Sequence, residues 1–124
     1  MYFYFSLDFN RIKRYNVKVN KLTEDIHMDK LRSASTDALF EAILTLKTVD
    51  ECYRFFEDAC TVKEIIDISQ RFEVAKLLSE KKNYQEISKE TGASTATISR
   101  VGKCLSYGKD GYTLVLERIK ENKK

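Results

Sequence analysis

A chain of 124 residues has room for one domain with a modest core. It has no proline and only four glycines, Gly92, Gly102, Gly108 and Gly111, so residues 28–82 lack both strong helix breakers. Net charge is +3, and the three cysteines (Cys52, Cys60, Cys104) and single His27 are too few and too scattered for a metal cluster or a disulfide framework.

No apolar run reaches membrane-span length, and no cleavable signal pattern stands out. Reduced, packed thiols in a cytoplasmic protein are the simplest reading of the cysteines. The charge is unevenly placed. Residues 28–80 carry seven basic and eleven acidic side chains, whereas residues 81–124 carry ten basic and five acidic. A basic half beside an acidic one is expected where only one half meets a polyanion.

Residues 1–27 differ from the rest. They hold six of the fourteen aromatics, Tyr2, Phe3, Tyr4, Phe5, Phe9 and Tyr15, interleaved with Arg11, Lys13, Arg14, Lys18 and Lys21. The mixture fits a nucleic-acid arm. It also fits a strand or hairpin, because Phe3, Phe5, Leu7 and Phe9 alternate. A third reading, an extension upstream of a start at Met28, is favoured by the change in composition there. The expected division is an N-terminal extension, 1–27, and one further domain, 28–124.

From Ser35 the pattern is helical. Leu39, Phe40, Ile43, Leu44 and Leu46 form an apolar stripe at spacings of three and four. Thr48-Val-Asp-Glu51 has the form of a capping box, in which the threonine hydroxyl and the glutamate carboxylate each satisfy an early amide. The next stripe is Val49, Cys52, Tyr53, Phe56, Ala59 and Cys60. A second box, Thr61-Val-Lys-Glu64, starts a longer helix through about Glu80. Its apolar residues Ile65, Ile66, Ile68, Phe72, Val74, Ala75, Leu77 and Leu78 cover more than one face, so it must be central or meet a second chain. Asn83-Tyr-Gln-Glu86 is a third start of the same kind. Tyr107-Gly-Lys-Asp-Gly111 is a turn, and a last helix carries Tyr112, Val115, Leu116 and Ile119. The expectation is an all-α fold of six helices with no strand after residue 27.

Between Asn83 and Lys103 the pattern becomes specific. Two short helices meet at Gly92, where the angle between them requires a positive φ. Ile87, Ala93, Ile98 and Val101 fall at inward offsets, and Ser88 is small at the close approach. The outer face carries Ser94, Thr95, Ala96, Thr97, Ser99, Arg100 and Lys103. Ser94 caps the second helix, whose N-terminal amides suit a phosphate. Thr95 and Ala96 are short enough to let the helix approach base edges, and Thr97 either joins them or turns aside. Arg100 suits guanine or phosphate, and Lys103 phosphate. Tyr84, Gln85 and Lys89 of the first helix are candidate backbone contacts. This is the layout of a helix-turn-helix that reads the major groove.

The run from Tyr84 to Leu105, with Gly92-Ala-Ser-Thr-Ala-Thr-Ile-Ser-Arg100 at its centre, resembles the helix-turn-helix of the tryptophan repressor superfamily. Leu39-Phe-Glu-Ala-Ile-Leu, Glu51-Cys-Tyr-Arg-Phe-Phe and Gln70-Arg-Phe-Glu-Val-Ala-Lys-Leu-Leu78 resemble its YerC/YecD branch. The resemblance covers about Met28 to Lys120. It implies a six-helix, intertwined homodimer with two reading heads. It also implies a tryptophan pocket, and there this chain departs. Of the two arginines that sandwich the indole in the repressor, Arg100 matches one. Gln70 falls at the other, with Arg71 one residue off and so about 100° around a helix. A glycine that leaves room for the ring is replaced by Val101, and a serine that helps hold the amino group by Cys104. These changes oppose tryptophan as the effector and leave a different, unknown small-molecule effector open.

The function expected is a dimeric, sequence-specific regulator of transcription, a repressor, with double-stranded DNA as partner. A helical protein-interaction module without DNA contact is the alternative, and Arg100 with Lys103 argues against it. No nucleophile–base pair, phosphate loop or metal set marks an enzyme, and no cofactor is implied.

Overall fold

Each helix from residue 34 to residue 107 starts at a side chain that accepts a hydrogen bond from an amide the helix itself leaves unpaired. In the computed structural model, residues 30–124 are described. They form six helices and no strand. These are α1 (Ala34–Ile43), α2 (Val49–Ala59), α3 (Val62–Ser79), α4 (Tyr84–Thr91), α5 (Thr95–Tyr107) and α6 (Gly111–Asn122). The alternative readings of residues 1–27, and His27, lie outside the described residues.

The starts are local chemistry. Ser33 accepts from the Thr36 amide at 3.0 Å ahead of α1. Thr48 accepts from the Glu51 amide at 3.2 Å, while Glu51 accepts from the Thr48 amide at 3.3 Å. Thr61–Glu64 and Asn83–Glu86 close as complete capping boxes ahead of α3 and α4. Such a cap is worth about 1 kcal/mol. The Glu64 carboxyl is held below its ordinary value, first by the Thr61 amide and then by the Thr61 hydroxyl.

One sequence expectation needs correction. The apolar stripe from Leu39 runs on to Leu46, but α1 ends at Ile43, with Leu44 as its C-cap. The next start wins the competition for the backbone. Glu51 takes the Lys47 amide at 2.6 Å as well as that of Thr48, and the Thr45 hydroxyl bonds back to the Ala42 carbonyl at 2.6 Å.

The chain divides after Cys52 into two compact units. In the first, α1 has no buried residue, and Leu39, Phe40 and Leu44 are exposed. In the second, α3 packs against α4, α5 and α6. The core joins Val74, Ala75 and Leu77 of α3 to Ile87 of α4, Ala93 of the turn, and Ile98 and Val101 of α5. Burying each of these larger aliphatic side chains stabilises the fold by about 1.5–3 kcal/mol. Leu116 of α6 is also buried, and Tyr112 packs against the cluster. The other end of α3 is bare: Val62, Ile66 and Ile68 are all more than half exposed.

Candidate nucleic-acid interface

The α4–α5 pair is fixed to α3 by its apolar side and by its turn. Gly92 has φ +70°, and a Cβ added there meets nothing closer than the Gln70 amide nitrogen at 4.0 Å. The glycine therefore answers a backbone need and not a lack of space. The Ser88 hydroxyl donates to the Ala93 carbonyl at 3.0 Å, so its role at the close approach is a bond as well as small size. The Thr91 hydroxyl donates to the Ile87 carbonyl at 2.7 Å and accepts from the Ala93 amide at 3.1 Å. From α3, Gln70 Nε2 donates to the Thr91 carbonyl at 3.1 Å. Twenty-one residues separate these partners. No periodicity in the sequence pairs them, and the tie becomes visible only when α3 lies across the turn.

With the inner side anchored, the outer side of α5 is displayed. Ser94, Thr95, Ala96, Arg100 and Lys103 are exposed, and Thr97 and Ser99 are half-buried. Ser94 caps α5 by accepting from the Thr97 amide at 3.2 Å. Its carbonyl takes the Ile98 amide at 3.0 Å. The amides of Thr95 and Ala96 are left without intrahelical partners, and the positive end of the helix dipole faces outward there. The Thr97 hydroxyl turns aside to the Ser94 hydroxyl, 3.1 Å away. On α4, Gln85 and Lys89 are exposed. Tyr84 is 44 % exposed and leans on α5: a Cβ added at Gly102 would lie 3.4 Å from its hydroxyl. All ten sequence-selected residues thus belong to one helical pair. Among the described residues, the ion pairs are Lys63–Asp67, Lys76–Glu73 and Lys82–Glu90, none of which engages Lys89, Arg100 or Lys103. The three cations remain available to an anion.

On the side where the resemblance implies a ligand, two of the four positions, Gln70 and Val101, are already taken up by the fold. Val101 is 2 % exposed inside the core, and Gln70 is committed to Thr91. Cys104 is exposed and free. Among the described residues there is no group of three or more His, Cys, Asp or Glu side chains placed to hold a metal ion, and no helix long and apolar enough to cross a membrane.

The Trp repressor protein family model matches residues 34–120. The uncharacterised protein YerC of Bacillus subtilis is 55 % identical over 96 residues, which is 77 % of this chain and 92 % of that protein. A crystal structure of a TrpR-like protein from Eubacterium eligens superposes with a TM-score of 0.73 at 56 % identity, over 74 % of this chain and 95 % of that one. A crystal structure from Staphylococcus aureus, described as a candidate Trp repressor, gives 0.73 at 53 % identity, over 75 % and 93 %.

Proposed function

The chain belongs to the Trp repressor family, and from that premise we propose that it is a sequence-specific, DNA-binding repressor of transcription that acts as a homodimer in the cytoplasm and catalyses no reaction. One observation carries the reading. A core-anchored helix, α5, displays Ser94, Thr95, Ala96, Ser99, Arg100 and Lys103 on one side of a turn fixed by Gly92. Thr95, Ala96 and Ser99 discriminate bases, together with Arg100. Lys89, Arg100, Lys103 and the α5 N-terminus hold phosphates. An interaction module has no need of a free cation row beside exposed amides.

The dimer is supported by apolar surface that one chain leaves uncovered. Val62, Ile66 and Ile68 of α3, Leu39 and Phe40 of α1, and Leu114, Val115 and Ile119 of α6 are all exposed. A second copy would bury such faces and set two reading helices about one DNA turn apart. The state of Gln70 and Val101 supports a regulator that tryptophan does not control, with any effector being of another kind.

Mobility-shift titration of random and genomic duplexes at two salt concentrations tests the reading. Binding that weakens steeply with salt is expected, and absent or salt-insensitive binding overturns it. Calorimetric titration with L-tryptophan is expected to show no saturable heat. Saturable micromolar binding would reinstate the family's ligand.

A further inference from the structure

A groove of about 520 Å³ runs along the side of α5 next to the α3–α4 connection. Two lysines, Lys81 and Lys103, line it together with Tyr84, Ser99 and Ser106, and with Ser79, whose hydroxyl is already given to the Lys76 carbonyl at 2.7 Å. No carboxylate lines it. Neither lysine takes part in an ion pair among the described residues. Cations and hydroxyl-bearing side chains around an open groove, with no competing anion, match the chemistry of a phosphate group.

The backbone contributes to the placement. Lys81 has φ 66°, a left-handed conformation that ends α3. Its amide bonds to Leu78 and the Lys82 amide to Leu77, which pins the chain direction at this point. A lysine is a costly choice for that conformation, where glycine or asparagine is easier. Gly102 has no side chain to fill the groove, and a Cβ there would come into contact with the Tyr84 hydroxyl, 3.4 Å away.

We propose that this groove is a phosphate-binding site in which Lys81 and Ser106, with Lys103 and Tyr84, grip a phosphate of the DNA backbone beside the bases read by α5. The proposal rests on the DNA-binding reading and extends its footprint beyond the helical pair to the end of α3. It adds affinity without sequence preference, since a phosphate is the same at every step of the duplex.

Lys81→Asn tests it, because asparagine keeps the left-handed backbone and removes the cation. On the full chain, the slope of log affinity against log salt is expected to fall by about one, equally on cognate and random duplexes. Lys81→Arg is expected to restore the slope. Wild-type slope in Lys81→Asn, or a loss confined to one sequence, overturns the proposal. A wild type that binds no duplex overturns the DNA reading instead, and amide NMR titration with inorganic phosphate then decides the groove. Saturable shifts at Lys81, Lys103 and Ser106 retain the site with free phosphate as its source. Unmoved amides overturn it.

Discussion

The two ends of α3 have the same kind of sequence and opposite fates. Val74, Ala75 and Leu77 are buried against α4 and α5, whereas Val62, Ile66 and Ile68 stand in solvent. Both ends are apolar on more than one face. The difference lies in what the chain offers as cover. At the C-terminal end, α4 and α5 return and close a core. At the N-terminal end, the second unit of this chain supplies nothing that buries Val62, Ile66 and Ile68. An apolar pattern thus states a need for cover and leaves open whether the cover comes from the same chain.

Substitutions at the two ends separate these cases. Ile66→Glu has the largest expected effect if the bare end is covered by a second copy. A carboxylate caught without a partner in that interface costs about 3–5 kcal/mol. Analytical ultracentrifugation is expected to show the dimer lost. If the bare end is true surface, the change stays within about 0.5 kcal/mol and the association state does not move. Ile87→Ala, at the closed end, is expected to cost about 2–5 kcal/mol by denaturant unfolding, because it leaves a cavity among Val74, Ile98 and Val101. Gly92→Ala is expected to cost about 1–2 kcal/mol without any clash, since the space is open and only the backbone is strained. A larger loss would mean that the turn cannot relax.

The smallest effect is expected at Glu64, beside the bare end. Its folded carboxyl is held below the ordinary value of 4.5, so its contribution is present above that pH and is lost as pH falls through the lower folded value. Glu64→Gln keeps the cap geometry and removes the charge. The stability gap between variant and wild type is therefore expected at neutral pH and should close in acid.

What the sequence made legible follows the range of the interactions. The starts at Thr48, Thr61, Asn83 and Ser94 are contacts over three residues, and all four form where the spacing places them. Ile87, Ala93, Ile98 and Val101 are inward by helical phase, and they are buried. Leu44 and Leu46 mislead because periodicity says nothing about a neighbouring cap competing for the same backbone. The Gln70–Thr91 tie and the groove at Lys81 were not legible. Both depend on where α3 lies against residues distant in sequence, and local spacing does not record this. The resemblance supplied the family, but the commitment of Gln70 to the turn came only from the geometry.

That commitment has a thermodynamic consequence. A turn held by the bonds of Ser88 and Thr91 and by Gln70 of α3 is already ordered before any partner arrives. Association then carries little further ordering entropy from this segment. The helical pair can dock as a rigid body, its shape nearly the same free and bound. Its hold on a partner would be set by salt and surface chemistry, and only weakly by the entropy of folding a loop around it.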